Sequence, residues 1–550
     1  MIFLSIMFII VALALPNLKN GFGALLMTRI TSLVFIYSCI LSLNSFYISQ
    51  LKSGIGIYSG LFHVSTVSQL SEIFFLVIAS LILLAMRPSN KIAETANSDN
   101  NYILSQKDQS NKVNYFSEYS LIVLFSTLGT TLLVSSYDLI SLYLSIELQS
   151  FGVYILTTLY RNSEKASNAG LMYFLLGGLS SCLILLGSGL IYSFTGLTNL
   201  EGIYSLISVY DNSTQGFTLG IVLIVIGLLF KIAAAPFHNW SPSVYDNSPT
   251  IVTIWLTIMP KIGVLIFLLD LITQSSVTTI LFGEVGLLSY NTLANDFINY
   301  KDSIKGLLLV SSALSLIIGT VVGLAQTRIK RLLAYSTISH IGFMLLSLAI
   351  NTEQSIEALI FYIIQYTISN LVIFLVLVGL GYLISPTIRR NSDLKKNLKK
   401  DIEYIVELKG QFFANPLLSL SLTICLFSMA GIPPLVGFFA KQFVLYSAIQ
   451  SGYYFLSILA ILVSVISASY YLKIIRLLHT ESEDMEDNLL ISDSNIIVDS
   501  IDSDGKVKGG LSNLHSFTIS FLTLTMLLFV LKPSILMYST QLLSLSLYNF

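Results

Sequence analysis

Three lysines, Lys231, Lys261 and Lys441, stand inside apolar runs that read GLLFKIAAAP, TIMPKIGVLIF and GFFAKQFVL. One carboxylate, Glu147 in LISLYLSIELQSFGVYIL, is set equally deep, whereas Asp270 falls close to the end of its run. Apolar stretches of this length read as membrane-spanning helices, and an ionisable side chain near a bilayer centre costs about 2.5–3.5 kcal/mol on insertion scales. Four deep ionisable residues in one chain therefore require a purpose. Ion pairs gluing helices together account for Glu147 and one lysine, but not for three lysines against one deep acid. Snorkelling to an interface suits a lysine near a helix end, and Lys261 lies about twelve residues into its span. The remaining chemistry is a relay in which buried amines and a buried acid load and release protons.

The neighbours fit such a relay. Tyr143, Ser150 and Tyr154 lie at i−4, i+3 and i+7 from Glu147, on one helix face. Gly227, Ala234 and Ala235 would share a face with Lys231, where small residues let another helix approach. Pro236 follows Lys231 by five residues, and Pro433 and Pro434 precede Lys441 by eight and seven. Proline opens the helical ladder, and broken helices near the midplane mark ion sites in transporters. A simple kink without an ion role is the plainer alternative. His238 and His340 read either as members of a proton path or as hydrogen-bonded residues at helix ends.

The elements that must position these residues are helices in a bilayer. Of 550 residues 54% are hydrophobic and 11% charged, and the mean hydropathy is +0.79; soluble domains carry roughly 25% charged residues. The net charge of -1 gives no reason to expect a nucleic-acid partner. Cys39, Cys182 and Cys425 are isolated in apolar runs, so they read as small buried hydrophobes, with no disulfide framework, iron–sulfur ligand set or other metal site. The opening MIFLSIMFIIVALAL has neither a basic presequence nor a small-residue cleavage site, which predicts a retained first membrane helix.

At about 20 residues per span, fourteen spans are expected, near 1–16, 24–47, 71–86, 118–136, 138–160, 168–195, 216–238, 249–273, 304–325, 329–350, 356–385, 414–447, 452–478 and 514–532. Residues 276–290 could form a further short membrane segment, and 534–550 are apolar but short. Of the 29 Lys and Arg, twenty-two fall in or beside loops that follow odd-numbered spans, four on the opposite side, and three inside spans. Basic loops stay on the side of synthesis, so the termini are expected on the other side. Three basic-side excursions, 87–117, 386–413 and 479–513, are polar and poorly patterned. The last holds Glu481, Glu483, Asp484, Glu486 and Asp487, a solvated loop by default or a docking surface for a neighbouring protein.

FKIAAAPFHNWSPSVYDNSPT (230–250), SIELQSFGVYIL (145–156), RIKRLLAYSTISHIGFML (328–345) and GIPPLVGFFAKQFVL (431–445) carry a family likeness. They resemble the antiporter-like membrane subunits of respiratory complex I, in the form of subunit 2 and its bacterial N counterpart. The likeness covers roughly 118–478 and is weaker over the first spans and 479–513. It implies an all-α polytopic fold with two five-helix units in inverted repeat, spans four to eight and nine to thirteen, and with spans seven and twelve broken. The corresponding division is 1–117, 118–273, 274–303 (connecting), 304–478, 479–513 and 514–550.

By the same resemblance Glu147 and Lys231 form the fifth- and seventh-span pair, Lys261 is the central lysine and Lys441 the lysine of the exit half-channel. Asp246–Asn247 stands where the family often has Glu–Gly; as a loop position it attracts little weight. The chain would translocate protons, driven by electron transfer from NADH to ubiquinone in partner subunits. It would hold no cofactor itself; flavin, iron–sulfur clusters and quinone would belong to the partners. Its partners would be the neighbouring antiporter-like subunit, small membrane subunits and lipids, without homo-oligomerisation. Few Trp with abundant Ile, Ser, Asn and Tyr suit an AT-rich organelle genome. That composition points to the mitochondrial inner membrane, with basic loops in the matrix and termini toward the intermembrane space. A free-standing cation/proton antiporter of related fold and a structural scaffold are the competing functions; a scaffold would need no intramembrane lysines.

Overall fold

The computed structural model describes residues 1–15, 24–46, 54–85, 106–160, 163–209, 215–285, 293–387, 401–480 and 511–548. Helices α1 (Ile2–Ala14), α2 (Ala24–Ser45) and α3 (Thr66–Ala85) come first, with a hairpin of β1 (Ile55–Ile57) and β2 (Phe62–Val64) ahead of α3. They are followed by α4 (Gln106–Ser135), α5 (Leu139–Thr157), α6 (Glu164–Thr195), α7 (Leu200–Val209), α8 (Gln215–Ile232), α9 (Trp240–Asn247) and α10 (Thr250–Val285). The second half holds α11 (Leu293–Leu324), α12 (Ile329–Ile350), α13 (Glu353–Thr387), α14 (Gln411–Ala414), α15 (Pro416–Ala430), α16 (Val436–Gln450), α17 (Tyr454–His479), α18 (Asn513–Leu528) and α19 (Ser534–Tyr548). Apart from the hairpin, which the all-α expectation did not contain, the described chain is helical.

Among the described residues eleven helices are long and apolar enough to cross a membrane, while α1, α8 and α15 are apolar but shorter. The thirteen residues of α1 rise only about 20 Å. It ends because Leu15 is extended ahead of Pro16, the conformation a following proline favours. The burial pattern inverts that of a water-soluble protein. On α6, Leu171, Leu175, Leu179 and Leu186 face outward, as do Phe455, Leu462 and Val465 on α17. Inside, α12 buries Ser336, Thr337, Ser339, His340 and Ser347. Helix α12, with residues 250–273 of α10 and 353–383 of α13, is largely buried and forms the centre.

Two expected spans are interrupted. Helix α8 stops at Ile232, with Ala233 at φ +62°, and the Trp240 indole N–H donates to the Phe230 carbonyl across the gap (3.0 Å). Ala234 and Ala235 therefore do not extend a helix face with Lys231, contrary to the sequence reading. Helix α15 closes on Gly431 at φ +86°, and α16 begins at Val436. Each interval contains a cis X-Pro bond, Ala235–Pro236 and Pro433–Pro434.

The connections gather on two faces. Lys165 pairs with Glu403 (3.0 Å), Arg328 and Arg331 with Asp246 (2.6 and 2.9 Å), and Lys330 with Asp401 (2.8 Å). Connections after expected spans five, seven, nine and eleven thus meet one another. Elsewhere β2 bridges Ser136 through Phe62, Leu139 N–H donates to the Thr198 carbonyl, and the Tyr204 hydroxyl donates to the Leu271 carbonyl (3.2 Å). Those are the connections after spans two, four, six and eight.

Several local expectations change. Residues 276–285 continue α10 to Val285 rather than start a separate segment, and 286–290 lie outside the described residues. Helix α4 starts at Gln106, inside the 87–117 excursion. Residues 401–408 are held by backbone bonds from Ile329 to Glu403 and from Ile405 to Thr327 (both 3.1 Å). Helix α19 packs on α13 and α3. Cys39 and Cys425 are buried but Cys182 is exposed. The acidic run from Glu481 to Asp487 lies outside the described residues.

Candidate functional site

Lys231 occupies the last turn of α8, immediately before the first interruption. Its ammonium donates to the Tyr154 hydroxyl of α5 at 3.1 Å and reaches the Gly177 carbonyl of α6 at 3.5 Å. Glu147 acts on Lys231 through space, yet the two form no ion pair, and Glu147 Oε1 is buried without a hydrogen-bond partner. Tyr154 is the residue the two expected partners share: it is seven positions along α5 from Glu147 and bonded to Lys231. Its ring meets Tyr173 edge-on at 4.7 Å, and Tyr173 stacks on Trp240 at 4.5 Å. The interruption therefore does local work, because α9 restarts with the tryptophan that anchors this aromatic group. One turn further, α9 presents Tyr245, whose ring lies 5.2 Å from the Lys261 ammonium.

Lys261 is fully buried (0% exposed), eleven residues along α10 from Thr250. Its ammonium donates to Thr337 Oγ1 of α12 at 3.0 Å, and among the described residues it has no carboxylate partner. Pro260, next to it, cannot donate to the preceding turn. The carbonyl so deprived is that of Leu256, and the next one, of Thr257, accepts from the Tyr366 hydroxyl of α13 (3.3 Å), which also lies within hydrogen-bonding reach of Thr337.

From Thr337 one turn of α12 leads to His340. This histidine is buried mid-helix, with Nδ1 2.7 Å from the Tyr362 hydroxyl and Nε2 3.3 Å from the Tyr471 hydroxyl. It is hydrogen-bonded, as one sequence reading had it, but it is no helix-end residue. The next turn brings Phe343, whose ring lies 5.7 Å from the Lys441 ammonium. Lys441 donates to the Ala430 carbonyl at 2.9 Å, the end of the interrupted α15. A helix C-terminus carries partial negative charge, so the second break supplies Lys441 with a polar partner that a continuous helix would withhold. His238 sits within the first interruption, its Nδ1 buried without a partner and its ring 6.4 Å from that of Tyr335. Pro236 and Pro433–Pro434 lie in the two interruptions themselves.

The structure thus brings Lys261, Thr337, His340 and Lys441 onto successive turns around α12, and Lys231 onto Tyr154. It does not bring Lys231 into contact with Glu147. Sequence reasoning placed Tyr154 on the face of Glu147 but not against Lys231, and it missed the hydroxyls of Thr337, Tyr362, Tyr366 and Tyr471. It also discounted Asp246, whose side chain is 1% exposed between Arg328 and Arg331. The signal available was the pairing of an acid beside one broken span with a basic loop on the same side. Asp401 belongs to the same face. Burial opposes its ionisation, but the Lys330 ammonium and the Thr250 N–H and hydroxyl outweigh that and hold its carboxyl below the usual range. No group of three or more His, Cys, Asp or Glu able to hold a metal occurs among the described residues.

The model of the membrane-spanning region of NADH:quinone oxidoreductase and Mrp antiporter subunits matches residues 136–290 and 275–467. The chain is 46% identical to NADH-ubiquinone oxidoreductase chain 2 of Rhizopus oryzae, over all of both chains. It is 38% identical to NADH-quinone oxidoreductase subunit N of Pelagibacter ubique, over 67% of this chain and 70% of that one. Its fold is similar to a chain in respiratory complex I from Thermus thermophilus with bound aureothin, at TM-score 0.68, 24% identity and 98% of each chain. A chain of an archaeal membrane-bound sulfane sulfur reductase superposes with TM-score 0.73 at 20% identity, over 100% of this chain and 96% of that one.

Proposed function

The chain belongs to the antiporter-like membrane subunits of NADH:quinone oxidoreductase, and from that premise we propose that Glu147, Lys231, Lys261 and Lys441 carry the protons it moves. It is a multi-pass membrane subunit of the proton-pumping NADH:ubiquinone oxidoreductase, respiratory complex I, of the chain 2 type. The fold alone is shared with other respiratory membrane complexes, so the full-length identity to chain 2 separates this function from a free-standing antiporter.

In this reading the flavin, iron–sulfur clusters and quinone belong to partner subunits, and their redox step drives charge movement here. Fourteen spans, with two inverted units at 118–273 and 304–478 joined through 274–303, are supported by the eleven long and three short apolar helices. The alternation of connections between two faces supports them too. Residues 1–117 precede the units; 479–513 and 514–550 follow them. The membrane is the mitochondrial inner membrane, with the basic loops in the matrix and the termini toward the intermembrane space. The neighbours are another antiporter-like subunit, small membrane subunits and lipid, and the chain forms no homo-oligomer. His340, between two tyrosine hydroxyls, joins Lys261 to Lys441, and His238 lies at the first break, where the matrix side is near.

The observation that carries the site is Lys261. An amine buried with a single hydroxyl acceptor and no counter-ion is poorly explained as structural glue, because unpaired buried charges are costly. It is suited to alternate between ammonium and amine. Lys261→Met keeps the volume and removes the charge. NADH-driven proton pumping in vesicles should fall about tenfold or more, the scale of a lost proton-transfer group, while assembly survives. Wild-type pumping at wild-type assembly would count against the role.

A further inference from the structure

Twenty residues along α10 from Thr250, at Asp270, a cavity of about 20 Å³ is lined by His63, Ser65, Val134, Ser136, Tyr137 and Asp270 among its wall residues. That volume holds one water molecule, and the wall has the several polar groups such a water needs. The wall is built from separate elements: the hairpin supplies His63, the end of α4 Val134 with Ser136 and Tyr137 just beyond it, and α10 Asp270. The His63 and Tyr137 rings lie 5.0 Å apart. Among the described residues the Asp270 carboxylate has neither an ion-pair nor a hydrogen-bond partner. Glu201, exposed at the start of α7, acts electrostatically on both His63 and Tyr137.

Inward from the cavity, two helix faces run together. Thr127, Thr130 and Val134 lie on one face of α4, and Gly263, Phe267 and Asp270 on one face of α10. They are close at Gly263: a Cβ there would stand in ordinary contact, 3.7 Å from Thr130 and 3.9 Å from Gln149 Nε2. That Gln149 nitrogen is buried and has no hydrogen-bond partner. Gln149 is on α5, the helix of Glu147. Polar groups therefore stand at both ends of the α4–α10 seam, with Val134 and Phe267 as an apolar constriction between them.

We propose that this cavity is a proton port of the first half, in which Asp270 exchanges protons through one water with the compartment opposite the basic loops. The proposal rests on the reading of the chain as a proton carrier and assigns that reading a further residue. Glu201 at the mouth and His63 and Tyr137 in the wall pass the proton to bulk water. The Thr130–Gln149 end of the seam faces the interior, and widening at Val134 and Phe267 joins the two.

The test uses the whole oxidoreductase in proteoliposomes, reading pumping and NADH oxidation together with assembly. Asp270→Asn should lower pumping about tenfold or more at normal assembly, and Asp270→Glu should restore most of it. Val134→Ile adds one methyl group to the cavity and leaves every charge in place. It should also lower pumping, and it decides alone if Asp270→Asn fails to assemble. Wild-type pumping in both Asp270→Asn and Val134→Ile, beside a loss in Lys261→Met, overturns the port and leaves the proton-carrying reading standing. Wild-type pumping in Lys261→Met as well overturns that reading itself.

Discussion

Lys231 and Glu147 bear opposite charges on α8 and α5, two helices that pack against α6, yet the lysine is bonded to Tyr154. We propose that this is the separated arrangement of a switching pair. When the two approach, each stabilises the charged form of the other; when they part, Lys231 loses that support and its proton passes toward Lys261. A double-mutant cycle on pumping rate with Glu147→Gln and Lys231→Met should give a coupling of roughly 0.5–3 kcal/mol, and Glu147→Asp should be milder than Glu147→Gln. Simple additivity would show the two residues acting independently. The charged members of the site were legible in the sequence because a charge inside an apolar run is an anomaly that needs no neighbour to be noticed. Their hydroxyl partners were not. Tyr154 is 77 residues from Lys231, Thr337 is 76 from Lys261 and Tyr471 is 131 from His340, and periodicity within one helix says nothing about which other helix it meets.

At the scale of elements, both interruptions were announced by proline, whose covalent geometry acts whatever surrounds it. What the interruptions do depends on packing. The first lets α9 turn Trp240 and Tyr245 toward the two lysine environments; the second exposes the Ala430 carbonyl to Lys441. The small hairpin escaped notice because three-residue strands leave no pattern of alternation long enough to read. Asp246 was underweighted for a related reason: its sequence places it in a connection, and only the fold brings Arg328 and Arg331 to it from the start of α12. Asp246→Asn removes the charge-assisted bond from Arg328 and the ion pair with Arg331 at a buried carboxylate position. The arginines left behind retain access to solvent, so the loss should be about 1.5–3 kcal/mol, seen as a lower thermal midpoint of the isolated complex. Arg331→Gln should cost less, since Arg328 would still neutralise the acid. An unchanged midpoint in Asp246→Asn would show that the cluster does not hold α9 to α12.

Across the whole molecule the bilayer dictates the plan: apolar side chains outward, polar ones inward, connections alternating between two faces. Length and hydropathy made most spans legible, and the first, seventh and twelfth proved shorter than their apolar runs for the local reasons given by proline and glycine. The distribution of Lys and Arg makes the orientation testable. A tag at the C-terminus and a tag within 479–513 should face opposite compartments, with the loop tag in the matrix. Protease accessibility in sealed mitochondria and in mitoplasts reads this directly, and both tags on the matrix side would remove the fourteen-span arrangement.

The contact between Lys261 and Thr337 spans 76 residues of chain, and that separation has a meaning in time. At about 5–20 residues per second of synthesis, the threonine follows the lysine by roughly 4–15 s. For the last 52 of those residues, from Val285 to Thr337, α10 is complete while the acceptor for its ammonium has yet to be made. Tyr245 on α9, whose ring lies 5.2 Å from the lysine ammonium, is already synthesised by then. A nascent chain halted between residues 285 and 337 therefore holds α10 complete without the hydroxyl that accepts from Lys261.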